Sequence, residues 1–214
     1  MAKTTLYLVR HGESMGNATN RILGHTDLDL TELGYKQAEM TAEALRDVDF
    51  CAIYSSDLMR ARHTAEYNAK IHNLEIRLDK ELRELNFGDW ENVDKEMLKT
   101  KYADIFFNGW YGQYGTFCCP NGESVQAGAE RVYHALERIA KAHEGKTVLV
   151  TFHAGVLRGF WGKINGIPAE KWASETCFPS NASYTIVEYD GEQFIPVSYS
   201  NDEHMGALVT KVKL

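Results

Sequence analysis

An arginine, a histidine and a glycine, Arg10, His11 and Gly12, directly follow the apolar run Thr4 to Val9. A guanidinium is a permanently charged fork that matches phosphate or carboxylate oxygens, and an imidazole can serve as base, acid or nucleophile near neutral pH. His153 directly follows another apolar run, Thr147 to Phe152, and Arg60 closes the stretch Ser55 to Arg60 behind a third, Cys51 to Tyr54. Taken singly, each has an ordinary structural explanation, as a solvated strand-end histidine or a surface arginine. Taken together, they place two histidines and two arginines behind three short runs. That set suits an anionic, phosphate-like ligand.

The elements that must position these groups are readable from the pattern. The three runs are short and aliphatic, as buried strands are. Thr31 reads as the N-cap of a helix to about Arg46, and Asp57 as the cap of a helix carrying Leu58, Ala61, Ala65 and Ala69. Ser124 opens an amphipathic helix to about His143, Gly155 to Ile164 is the next helix, and Ser183 to Glu188 with Gln193 to Ser198 form a hairpin. This alternation predicts an α/β three-layer sandwich: a mostly parallel central sheet with helices on both faces. In such sheets ligands bind beyond the carboxyl ends of the strands, which is where the candidate residues fall.

Between Leu74 and Glu123 the rhythm breaks. A short helix over Asp94 to Phe106 precedes NGWYGQYGTFCCPNG, rich in glycine and aromatics. The expectation is one domain over residues 1–214 with an insertion at about 74–123 that lies over the site as a lid. Trp110, Tyr111 and Tyr114 in it suit a substrate with an apolar portion, or equally pack the insertion onto the sheet.

Composition narrows the function classes. A formal charge of −7 argues against a sequence-independent nucleic-acid binder. No apolar run approaches the ~20 residues that span a bilayer, and MAKTT is unlike a signal peptide, so the reading is a cytoplasmic protein with no membrane partner. The four cysteines, Cys51, Cys118, Cys119 and Cys177, have no zinc-ligand spacing and read as free thiols. Oligomeric state is not written in the pattern.

LVRHGES with Asn17, then TELGYKQA, YSSDLMRARHTA, LRELNFGDWE, PNGES and FHAGVLRG occur in order along nearly the whole chain. In this the sequence resembles the histidine phosphatase superfamily, the phosphoglycerate-mutase-like proteins. The resemblance implies that His11 is a nucleophile forming a phosphohistidine, that Arg10 and Arg60 grip the nonbridging oxygens, and that His153 and Asn17 add hydrogen bonds. It makes Glu84 the general acid, with Glu81 the rival by composition, and it implies a pocket without metal or other cofactor. Ser14, Gly24 and Ala154 fall where family members approach substrate, and Lys95, eleven positions after Glu84, falls where the mutases hold a substrate-binding lysine. Ser14 and Gly24 serve equally as local structure, and His25 reads as an exposed loop residue.

The family usually has Ser-His-Gly at the second histidine, and this chain has Phe152, His153 and Ala154. A lost hydroxyl and an added Cβ predict an altered pocket. NFGDWE resembles the phosphatase members. The mutases carry adjacent arginines on the insertion, and FFNGWYGQYGTFCCPNG contains neither Arg nor Lys. The favoured reading is therefore a metal-independent hydrolase of a small phosphorylated metabolite. A cofactor-dependent phosphoglycerate mutase and a non-catalytic phospho-ligand or protein-binding module are the alternatives.

Overall fold

Successive side chains of a strand point to opposite faces, and the first strand, β1 (Thr4–Arg10), shows the consequence. Leu6 and Leu8 enter one core and Val9 the other. The computed structural model describes residues 2–212. After β1 come α1 (Met15–Ala18), β2 (Arg21–Ile22), α2 (Glu32–Ala44), β3 (Phe50–Ser55), α3 (Met59–His72) and β4 (Ile76–Leu78). The excursion that follows holds β5 (Val93–Asp94), α4 (Lys95–Lys101) and α5 (Ala103–Phe107). The chain then returns through α6 (Val125–Ala142), β6 (Thr147–Phe152), α7 (Ala154–Ile164), α8 (Trp172–Glu175), β7 (Tyr184–Tyr189) and β8 (Phe194–Asn201).

The central sheet has the order β4-β3-β6-β1-β7-β8. β4, β3, β6 and β1 are mutually parallel, while β7 and β8 are antiparallel additions at one edge. Helices α6 and α7 pack together over the larger core, and α2 and α3 pack together over the smaller one around Val9, Ile53 and Leu149. This is the α/β sandwich with a mostly parallel sheet that the alternation predicts. Thr31 caps α2 by accepting from the Gly34 N–H, and Ser124 caps α6 by accepting from Ala127. No helix among the described residues is long and apolar enough to cross a membrane.

The structure departs from expectation in particular places. Ile76–Leu78, assigned above to the insertion, is the edge strand β4, paired with β3, so the excursion begins after Leu78. Asp57 does not cap α3, which starts from Leu58 without a side-chain cap. Its carboxylate is instead held by Arg83, at 2.7 and 2.6 Å. The helix expected over Asp94 to Phe106 is broken at Tyr102 into α4 and α5.

Candidate active site

β1, β3 and β6 run parallel, so their carboxyl ends open on one edge of the sheet and deliver Arg10–His11, Ser55–Ser56 and Phe152–His153 to it. The pocket there is lined by Arg10, His11, Ser14, Asn17, Gly24, Arg60, Glu84, Lys95 and Ala154. His153 does not line it but lies directly behind His11, the two rings 5.2 Å apart between centroids.

The His11 ring is oriented by its own backbone. Its Nδ1 lies 2.7 Å from the Gly12 carbonyl oxygen, an atom that only accepts, so Nδ1 carries the proton and Nε2 the lone pair. Burial, then the charges of Arg60 and Arg10, push the His11 pKa well below the ordinary histidine value. The ring is therefore neutral at neutral pH. His153 is depressed in the same way, first by burial and then by Arg60.

The two arginines are fully buried and carry unequal sets of contacts. Arg60 donates to the carbonyls of Thr26 (2.9 Å) and Gly24 (2.7 Å). Arg10 donates from Nη1 to Pro179 at 2.6 Å, and its buried Nε has no partner among the described residues. Burial lowers both to about 10, so both remain cationic at neutral pH. Gly24 presents its carbonyl to Arg60 from a φ of +54°, and a Cβ there would stand 2.5 Å from the Glu91 carboxylate.

Glu84 sits at the amino end of α7. Its Oε2 accepts from the Gly155 N–H at 2.8 Å, and its Oε1 from Val156 at 3.0 Å and Leu85 at 2.9 Å. A helix N-terminus favours an anion at this position. A Cβ on Gly155 would lie 2.7 Å from Oε1, so the seat requires a glycine. The N–H of Ala154, one residue nearer the turn, is not among the groups that bind Glu84. The Glu84 carbonyl is also fixed, by His25 Nε2 at 2.9 Å and Arg131 at 3.2 Å. His25 is thus a half-buried support of the Glu84 segment, not the exposed loop residue expected above.

The departure at Phe152 is resolved by strand periodicity. Phe152 shares the core with Val148 and Val150 and faces away from the pocket. A hydroxyl reaches the second histidine nonetheless: Ser56 Oγ lies 2.9 Å from His153 Nε2. His153 Nδ1 is buried and has no partner among the described residues. Ser14 is the N-cap of α1, and its hydroxyl donates to Asn17 Oδ1 at 3.0 Å. Lys95 opens α4, and burial, then the charges of Arg10 and Lys99, lower its pKa to about 8.

Several residues at the site escaped the sequence reading. Arg21, Phe87, Phe178 and Val212 also line the pocket. Trp110 joins them, stacked on Phe106 at 5.8 Å and on Phe178 at 5.9 Å. Tyr114 instead packs the insertion down, fully buried with its hydroxyl donating to the Gly155 carbonyl. Asn181 reaches the His11 carbonyl and Asn17 from just before β7. Applied to β7, the strand-end rule would have found it, because an antiparallel strand brings its amino end to the carboxyl end of β1.

A model of the histidine phosphatase superfamily (branch 1) matches residues 6–202. The chain belongs to this superfamily. It is 34% identical over 207 residues to a metal-independent phosphoserine phosphatase of Arabidopsis thaliana, covering 96% of this chain and 84% of the relative. It is 36% identical over 194 residues to a probable phosphoglycerate mutase of Salmonella arizonae, covering 89% and 87%. The solved structure of Bacillus stearothermophilus YhfR superimposes with a TM-score of 0.88 at 32% identity, over 94% of this chain and 99% of that one. Within the histidine phosphatase fold, this chain is a phosphatase.

Proposed function

We propose that this phosphatase hydrolyses a small phosphate monoester, without a metal ion, through a phosphohistidine on His11. The observation that carries the reading is the Nδ1 bond to Gly12, which leaves the Nε2 lone pair of a neutral, buried ring beside two buried guanidinium groups. In the first step Nε2 attacks phosphorus and the bond to the leaving oxygen breaks, with Glu84 giving its proton to that oxygen. In the second, water attacks phosphorus, Glu84 takes the water proton, and the nitrogen–phosphorus bond breaks to restore His11 and release phosphate. Arg10 and Arg60 stabilise charge on the nonbridging oxygens in both steps, and His153 backs the His11 ring from behind. Two permanent cations supply the neutralisation that a metal ion supplies elsewhere.

Beyond the phosphoryl group, Lys95 and Arg21 add positive charge and Phe87, Trp110, Phe178 and Val212 an apolar wall. A compact leaving group bearing an anion suits this mixture. Phosphoserine, the substrate in the name of the Arabidopsis relative, meets that description and leads the candidates. Arg21 also bears on the mutase reading. The stretch FFNGWYGQYGTFCCPNG, free of Arg and Lys, argues against retention of a second anionic group, but Arg21 comes from β2 and joins Lys95 at the pocket.

Phosphorus NMR separates the readings. The protein in EDTA is given phosphoserine, then 3-phosphoglycerate with a trace of 2,3-bisphosphoglycerate, then other monoesters, beside His11→Ala. The expected result is free phosphate from the wild type alone. Interconversion of 3- and 2-phosphoglycerate without phosphate release would establish the mutase, and no turnover of any ester would leave the binding module.

A further inference from the structure

The side-chain amide of Asn17 is fixed from one side only. Its Oδ1 accepts from the Ser14 N–H at 3.1 Å, the Ser14 hydroxyl at 3.0 Å and Asn181 Nδ2 at 3.1 Å. A backbone N–H can only donate, so the atom facing it must be the oxygen, and the Asn17 NH₂ must point the other way. Asn17 lines the catalytic pocket, and no described residue accepts a hydrogen bond from its NH₂.

Asn181 is held just as unambiguously. It is 1% exposed, and its Nδ2 also lies 3.3 Å from the carbonyl oxygen of His11, which can only accept. Its Oδ1 accepts from the Thr210 hydroxyl at 3.1 Å, and its N–H donates to the Thr210 carbonyl at 2.9 Å. One carboxamide therefore ties the backbone of His11 to the amide of Asn17 and is itself anchored to the segment that ends the described chain.

We infer that Asn181 is a positioning residue for phosphoryl binding: its Nδ2, bridging the His11 carbonyl and Asn17 Oδ1, holds the Asn17 NH₂ toward the phosphoryl oxygens. The inference rests on the reading of the pocket as a phosphoryl site. Asn181 itself does not line the pocket and acts only through its two neighbours. An aspartate in its place would put an acceptor against two acceptors and push the Asn17 amide out of this orientation.

The test begins on the unmodified protein, with orthovanadate as the probe. Asn17 and Asn181 side-chain NH₂ signals are assigned in ¹⁵N-labelled protein by their loss in Asn17→Ala and Asn181→Asp, and followed on addition of vanadate. The Asn17 pair is expected to shift strongly and the Asn181 pair to stay. Bound vanadate with an unmoved Asn17 pair would overturn the inference while leaving the phosphoryl site intact. Absence of vanadate binding would remove the site, and the inference with it.

The second arm is kinetic. N181D is expected to lose roughly tenfold or more in kcat/KM for p-nitrophenyl phosphate, as befits a hydrogen bond to a charged group. In the N17A background the same change should cost clearly less, because of the two arms of the bridge only the one to the His11 carbonyl is left. Equal losses in both backgrounds, or full activity of N181D, would mean that Asn181 does not act through Asn17.

Discussion

Glu84 makes the sharpest demand at the scale of a single residue. Its carboxylate is held through both oxygens by three backbone N–H groups, two of them from the amino end of α7, and the single oxygen of a carboxamide can accept only part of that set. Glu84→Gln thus removes the proton and also weakens the seat, a loss common to every substrate. Turnover of an alkyl phosphate, whose leaving oxygen needs protonation, should fall roughly 100-fold, with a much smaller loss on p-nitrophenyl phosphate. Equal losses on the two esters would take the acid role away from Glu84. Lys95 has a different signature. Its pKa is lowered to about 8 by burial, then by Arg10 and Lys99, so its positive charge fades as pH rises past that value. For a carboxylate-bearing ester such as phosphoserine, kcat/KM is expected to decline above pH 8. Lys95→Arg, charged throughout, should flatten the decline, and an unchanged profile in that variant would exclude Lys95 as the group that reads the carboxylate.

At the scale of elements, most of the sheet was legible because its central strands are short aliphatic runs, and α2 and α6 were legible because each starts at a capping hydroxyl. What escaped has physical causes. β4 is three residues long on the sheet edge with Arg77 and Leu78 exposed, so it carries no burial pattern to read. Asp57 looked like a cap because it precedes a helix, but a two-pronged arginine fork offers a carboxylate more than a single N–H does. Ser56 and Asn181 act through neighbours that only the tertiary fold supplies. The insertion was readable as a departure from rhythm, not as a wall. That wall rests on Arg158, whose guanidinium lies 4.1 Å from the Tyr114 ring centroid and 4.4 Å from that of Phe178. It also donates to the carbonyls of Trp172, Ala173 and Thr176 around the end of α8. Arg158→Met would take this donor from the Ala173 and Thr176 carbonyls, while the Trp172 carbonyl keeps the Thr176 N–H and hydroxyl, and is expected to cost roughly 3 kcal/mol of stability. Because Phe178 and Trp110 form one stacked wall of the pocket, KM should rise more than kcat falls. An unchanged urea midpoint would show that the carbonyls find other donors.

Across the whole molecule, the two site histidines couple the site to folding stability. His11 and His153 are buried against each other and depressed first by burial, then by Arg60. His72, His143 and His204 are lowered too, chiefly by burial. An unfolded chain protonates these rings near the ordinary value of 6.5, whereas the folded chain keeps them neutral. Below that pH the unfolded state binds more protons, so stability falls with acidification, by up to about 1.4 kcal/mol per pH unit for each fully depressed ring. The paired carboxylates Asp29 and Asp57 are lowered below 3.8 and titrate under this window. Urea unfolding between pH 7.5 and 5.5 therefore isolates the histidines. The wild type should lose stability steeply across that range, and His11→Gln with His153→Gln should flatten the slope by nearly two protons. A double variant with the wild-type slope would mean that the site histidines are protonated in the native protein, and a protonated His11 has no lone pair with which to attack phosphorus.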